Sequence, residues 1–289
     1  MNNINNLKIT FFGGEPLSVP TLEILKKNGI IPDRIVCNPD TKQGRKMILT
    51  PPPTKLWAKE NTIPVFQPES LRDSTVRHQM SDSCWDLFIV VAYGKIIPKE
   101  ILDIPQYGVV NLHPSLLPKF RGASPIRSAI LEDQRETGVT IMKMDEEMDH
   151  GPILAREKIE IRAKDWPMKG TQLDTALAEA GARLLVKTIP KYVRGKIEPK
   201  KQNHSEASYT KKIIKADGEI DLKDDPYQNL LKIRAYDSWP GTFFFMGKEG
   251  SQIRIKITDA ELSANGSLNI LKVIPEGKGE IPFSDLQIF

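Results

Sequence analysis

"DLFIVVAYGKIIPKEILDIPQYGVVNLHP", Asp86–Pro114, contains two strand-like segments, "DLFIVVAY" (Asp86–Tyr93) and "GVVNLH" (Gly108–His113). The first is apolar at consecutive residues rather than alternate ones, the pattern of a strand covered on both faces. On either side, "LKITFF" (Leu7–Phe12), "RIVCN" (Arg34–Asn38), "IPVFQ" (Ile63–Gln67) and "GVTIMKM" (Gly138–Met144) read as further strands. Helical stretches lie among them. Val19, Leu22 and Leu25 keep helix spacing up to a stop at Gly29, and Thr54–Glu60, Leu71–Met80 and Pro125–Leu131 follow. The alternation predicts an α/β domain on a mainly parallel sheet. A long helix closes it, because Leu173, Ala176, Leu177, Ala180, Leu184 and Ile189 keep a 3.6-residue period between Thr171 and Val193.

Beyond Val193 the pattern changes. Nine Lys or Arg stand against two Glu between Lys187 and Lys215, which suits either a solvated linker or a surface for a polyanion. A short helix, "DPYQNLLKIRAY", then precedes the strands "TFFFMG", "QIRIKITDAEL" and "SLNILKVI". That order predicts a small β-rich domain.

Composition narrows the class. A length of 289 residues fits two domains. No apolar run approaches the roughly 18–20 residues that a membrane-spanning helix needs, and the opening "MNNINNLKITFFGG" lacks the marks of a secretory signal. Only Cys37 and Cys84 and four scattered His are present, so no zinc motif can be assembled. A reduced cytoplasmic protein without a metal is expected. Gly13-Gly14 ends the first strand without a G-x-G-x-x-G, and Glu15-Pro16 would block backbone approach to a pyrophosphate. Nicotinamide and flavin cofactors are therefore not expected.

Residues two apart on a strand share a face, so Asn111 and His113 point to one side at the end of "GVVNLH". Two directed donors there suit a carbonyl that becomes an oxyanion; the same pair would also suit a structural cap. A second loop, "DEEMDHG", supplies Asp145, Glu146, Glu147 and Asp149. A carboxylate beside an amide and an imidazole is suited to moving protons, and the sequence alone does not choose among the four.

"NLHPSLLPKFRGASPI" together with "TGVTIMKMDEEMDHGPIL" resembles the folate-dependent formyltransferases, most of all the branch acting on methionyl-tRNA. "FFGGEPLSVPTLEIL", "DLFIVVAYGKIIPKEIL", "ASYTKKIIKADGEIDL" and "KIRAYDSWPG" extend the similarity over nearly the whole chain. The resemblance implies a Rossmann-like formyltransferase catalytic domain at 1–193, a basic linker at 194–208 and a β-rich, OB-like, tRNA-binding domain at 209–289. It implies a catalytic trio of Asn111, His113 and Asp149. The donor would be 10-formyltetrahydrofolate, leaving tetrahydrofolate. Its pocket would be lined at Tyr93, Gly94, Ile96 and Ile97, at Ser115, Leu116, Leu117 and Pro118, and at Met144 and Asp149. The acceptor would be initiator methionyl-tRNA, used in translation initiation, and the enzyme a monomer that needs neither membrane nor metal.

"PDTKQGRKMILTPPPTK" (Pro39–Lys55) is similar to the family loop that enters the tRNA acceptor stem. It offers Lys42, Arg45 and Lys46, and Lys200, Lys201 and Lys211 of the basic stretch would add phosphate contacts. A sugar-nucleotide amine N-formyltransferase using the same folate is the alternative. Departures from the family pattern are Met47-Ile48 in place of two lysines, Gly14-Glu15 after the first strand, and a tryptophan in "KDWPMKGTQL" where a polar turn is usual. The C-terminal domain is also expected to be shortened.

Overall fold

The computed structural model describes residues 7–44, 46–247 and 252–286. Its first part runs β1 (Ile9–Gly13), α1 (Ser18–Lys27), β2 (Arg34–Cys37), β3 (Thr41–Gln43), β4 (Ile48–Thr50), α2 (Pro53–Glu60), β5 (Val65–Phe66), α3 (Ser74–Met80) and β6 (Leu87–Val91). There follow α4 (Lys99–Leu102), β7 (Val109–His113), β8 (Arg121–Gly122), α5 (Pro125–Leu131), β9 (Glu136–Lys143), β10 (Ile153–Glu160) and α6 (Gly170–Val193). The remainder is β11 (Tyr209–Thr210), α7 (Pro226–Ala235), β12 (Thr242–Met246), β13 (Ile253–Leu262), β14 (Leu268–Pro275) and β15 (Ile281–Pro282).

Seven strands form one sheet in the order β10-β9-β7-β6-β1-β2-β5. The pairs β1–β2, β1–β6, β2–β5 and β6–β7 are parallel, so the sheet is mainly parallel, as the continuous apolar strands predict. β1 and β6 are buried at every residue. β9 runs antiparallel to β7, with Asn111 opposite Met142 and His113 opposite Thr140. β10, in a stretch where the sequence pattern predicts no strand, forms the sheet's outer strand. Its "ILAREKIE" alternates half-buried with exposed residues after Leu154, because an edge strand has less to cover it. Where the sequence predicts a loop, β3 and β4 pair antiparallel, with Met47, Ile48 and Leu49 exposed.

α6 holds β7 in place. A Cβ at Gly181 would lie 2.5 Å from Leu112 Cδ1, so only glycine lets the helix approach β7 this closely. Tyr192 Oη also donates to the Tyr107 carbonyl at 2.8 Å, just before that strand.

The chain divides into two compact units. One comprises residues up to Gly122, Gly138–Ile159 and Asp174–Tyr209; the other comprises Ala123–Thr137, Glu160–Leu173 and residues from Thr210 onward. A single cut after Val193 is coarser than this, and the basic stretch 194–208 belongs to the first unit. In the second unit β12-β13-β14-β15 form an antiparallel sheet. Ile220, Ile233, Phe244, Ile255, Ile257 and Val273 are packed in its core. Asp225 caps α7 by accepting the Gln228 N–H, and Pro226 takes the first helical position, where no amide is needed. Trp166 is buried rather than placed in a polar turn: its Nε1 donates to Asp133 Oδ1 at 2.6 Å, and Tyr227 Oη donates to the same oxygen at 2.7 Å.

Candidate active site

Asn111 and His113 leave the same side of β7, and both meet Asp149. Asn111 Nδ2 and His113 Nδ1 each lie 3.5 Å from Asp149 Oδ1. The His113 side chain is 5% exposed and that of Asp149 13%, so charge developing between them would meet little bulk water. Of the four candidate carboxylates only Asp149 reaches this pair. Asp145 instead bonds His150 Nδ1 at 2.7 Å, while Glu146 and Glu147 are exposed.

β9 pairs Lys143 with Val110, near the start of β7. The loop after β9 then turns back to carry Asp149 to the end of β7. Gly151 makes that turn feasible, since a Cβ there would lie 1.9 Å from the Lys143 carbonyl oxygen. Asp149 itself has φ +51°, a left-handed conformation unusual outside glycine. Its Oδ2 accepts the Gly122 N–H at 2.7 Å, which orients the carboxylate and leaves Oδ1 to face Asn111 and His113.

The imidazole is oriented from its other side: His113 Nε2 is 2.9 Å from the Phe120 carbonyl oxygen. A carbonyl only accepts, so Nε2 carries hydrogen and Nδ1 faces the carboxylate. Phe120, like Asp149, has a positive φ, +59°; left-handed non-glycine residues cluster where backbone strain serves a site.

A second layer of contacts, which no sequence motif marks, supports these groups. Arg121, almost wholly buried, donates from Nη2 to Gln202 Oε1 at 2.7 Å and to His204 Nδ1 at 2.9 Å. Gln202 Nε2 in turn donates to the backbone oxygens of Asp149 at 2.8 Å and Gly151 at 2.7 Å. His204 stacks on His150 with ring centroids 4.0 Å apart. Partial loss of hydration, with His150 and Arg121 nearby, holds His204 below the usual imidazole range, in keeping with a neutral ring accepting from Arg121.

The residues expected to line a folate pocket fall into two groups. Ser115, Leu117 and Pro118 are buried and serve the turn after β7. Ser115 Oγ donates to the Lys119 carbonyl at 2.6 Å, and the Leu117 N–H donates to Thr140 Oγ1 at 3.1 Å. Tyr93 and Ile97 are buried in the core beside Phe12 and Phe88. Surface is offered by Gly94, by Ile96 at 73% exposure, and by the half-buried Leu116 and Met144. Met144 also lines a cavity of about 570 Å³ with Lys99, Gln106, Lys143, Asp145 and Glu147, which does not include the trio. Lys42, Lys46, Lys200 and Lys201 are exposed in the first unit and Lys211 in the second. Arg45 lies outside the described residues.

Fold and site together define an α/β group-transfer enzyme, with an amide, an imidazole and a carboxylate converging on one point of a mainly parallel sheet. The family model described as Formyl transferase matches residues 7–189, and that described as Formyl transferase, C-terminal domain, matches residues 212–284. The chain belongs to the formyl transferase family. A curated methionyl-tRNA formyltransferase from Chloroflexus aurantiacus is 42% identical over 261 residues, covering 90% of this chain and 82% of that protein. One from Halalkalibacterium halodurans is 38% identical over 234 residues, covering 81% and 73%. Among solved structures, methionyl-tRNA formyltransferase from Clostridium thermocellum covers 94% of this chain and 100% of its own, with a TM-score of 0.60 and 17% identity. An N-formyltransferase from Helicobacter canadensis, in complex with folinic acid and dTDP-3-aminofucose, covers 89% and 88% with a TM-score of 0.65 and 21% identity. At such identities the structures share the fold. Among the described residues no helix is long and apolar enough to cross a membrane.

Proposed function

We propose that this chain transfers the formyl group of 10-formyltetrahydrofolate to the α-amine of methionine esterified to initiator tRNA, releasing tetrahydrofolate. The observation that carries the chemistry is the convergence of Asn111 Nδ2 and His113 Nδ1 on one oxygen of Asp149. The choice of acceptor is supported by curated methionyl-tRNA formyltransferases at 38–42% identity over at least 81% of the chain.

In this reading the amine nitrogen attacks the formyl carbon, and the carbonyl oxygen becomes an oxyanion. Asn111 Nδ2–H and a protonated His113 Nδ1–H donate to it. Asp149 accepts the proton that the amine sheds and passes it to N10 of the folate as the C–N10 bond breaks, directly or through one water. Both separations are 3.5 Å, at the outer limit of hydrogen bonding, so the three groups touch one another and the reacting carbonyl would lie beside them rather than between them. Lys42, Lys46, Lys200 and Lys201 of the first unit and Lys211 of the second would each contact tRNA phosphates, and the family resemblance implies the same for Arg45. Gly94, Ile96, Leu116 and Met144 would offer surface to the folate. Residues 1–193 would carry the chemistry and 209–289 would bind tRNA, in a monomeric cytoplasmic protein.

The test is direct: supply 10-formyltetrahydrofolate and methionine-charged initiator tRNA and follow formylmethionine. Asn111→Ala, His113→Ala and Asp149→Ala should each slow turnover on the order of 10²-fold or more. Turnover on a nucleotide-linked amino sugar with none on tRNA would overturn the acceptor; unchanged rates in all three variants would overturn the site.

A further inference from the structure

Residues 190–211 lie between the two family-model matches, yet one of them is built into the site. Gln202 is 6% exposed, whereas Lys201 and Asn203 on either side are exposed. All of its hydrogen-bonding groups are engaged. The two Nε2 hydrogens serve the carbonyls of Asp149 and Gly151 at 2.8 and 2.7 Å, and Oε1 accepts Nη2 of Arg121 at 2.7 Å. Two acceptors on one end and a donor on the other fix which way the amide points.

The residue it holds needs holding. Asp149 sits in a loop rather than in a strand, with φ +51°. A strained conformation of this kind persists only when its surroundings over-determine it. Gly122 N–H grips the carboxylate from one side, and Gln202 fixes the backbone that carries it. Lys200 strengthens the seating of Gln202, for its N–H and carbonyl both bond Ile153, at 2.9 and 2.8 Å, where the loop ends in β10.

We infer that Gln202 is a positioning residue, and that it keeps the Asp149 carboxylate aimed at Asn111 and His113 by holding the carbonyls of Asp149 and Gly151. The inference rests on the reading of Asp149 as the proton-handling group. Misplacement of a reacting group by about 1 Å costs on the order of 10²-fold in rate; loss of one of two anchors should cost about tenfold.

The experiment is a double-mutant cycle on the full-length protein, measured as formyl transfer from 10-formyltetrahydrofolate to charged tRNA. Gln202→Ala should lower kcat about tenfold, with KM for both substrates within about twofold of wild type. Gln202→Glu keeps the size and the Arg121 contact but turns an acceptor toward two carbonyl oxygens, so it should be no better. With Asp149→Ala already present, adding Gln202→Ala should change the rate less than about twofold, because nothing remains to be aimed. Additive losses would overturn the inference, as would full activity in Gln202→Glu or a defect confined to KM. If Gln202→Ala does not fold, Gln202→Asn, which draws the amide back by one methylene, takes its place in the cycle with the same expectations. Wild-type turnover in Asp149→Ala alone would instead overturn the catalytic reading, and that single variant tells the two failures apart.

Discussion

Replacing Gly151 by alanine would put a methyl carbon 1.9 Å from the Lys143 carbonyl oxygen. Carbon–oxygen contacts settle at about 3.3 Å or more, so the separation must grow by about 1.4 Å. Lys143 has little room to yield: it is paired with Val110 in the sheet, and its N–H bonds the Pro152 carbonyl at 2.9 Å. The loop must move instead. The Gly151 carbonyl is bonded to Gln202 at 2.7 Å, and a shift of half the required size already stretches that bond past a useful length. Overpacking of this kind costs about 1–3 kcal/mol. For a unit of this size that lowers Tm by about 2–12 °C. Asp149, two residues earlier, moves with the loop, and displacement on the order of 1 Å costs about 10²-fold in rate. Calorimetry and steady-state kinetics on Gly151→Ala should therefore show a lower Tm together with a kcat reduced about 10- to 10²-fold. Gly279→Ala, where a Cβ meets nothing within 4 Å, serves as the neutral control. A lowered Tm with full kcat would refute the link between the Gly151 turn and placement of the carboxylate; wild-type values for both would refute the described packing of the loop.

Two further outcomes are expected. Removing the charges of Lys42 and Lys46 together should flatten the slope of log tRNA affinity against log salt by about 1–2, with folate affinity unchanged; an unchanged slope would place these side chains off the phosphates. Cys37 and Cys84 should differ in reactivity. Burial pushes the Cys37 thiol up to about 11, against the opposing pull of Lys55, while Cys84 is exposed. One thiol should react with an aromatic disulfide in the native protein at pH 8 and two after denaturation, and two in the native state would show that Cys37 is accessible. Because the folded value is raised above 9.0, the contribution of Cys37 to stability is intact below that pH and is lost as pH rises toward 11.

The parallel core was legible because burial on both faces leaves a continuous apolar signature, as in Leu87–Val91. β10 was not, because charged residues stand at four of the eight positions of "ILAREKIE" and mask the apolar pattern of a strand. Asn111 and His113 could be placed on one face from strand periodicity alone. The choice of Asp149 over Asp145 could not be read from the residues themselves. It depends on a positive φ, on Gly151 and on a loop that doubles back along β7. Arg121 and Gln202 gave no local signal either, for their partnership spans 81 positions, and periodicity reports only on near neighbours.

The two groups that flank His113 depend on one distant segment. With Nε2 committed to the Phe120 carbonyl, Nδ1 is left facing Asp149. The orientation of the ring is therefore set by where Phe120 holds its carbonyl. Phe120 is held in turn by Ser208: its N–H donates to Ser208 Oγ at 2.9 Å, and the next amide, Arg121 N–H, donates to the Ser208 carbonyl at 2.8 Å. Gln202, six residues before Ser208 in the same segment, holds the backbone of Asp149. The imidazole and the carboxylate thus take their orientation from a stretch whose sequence reads as a charged linker. A substitution in this segment that alters its path would therefore shift the imidazole and the carboxylate together.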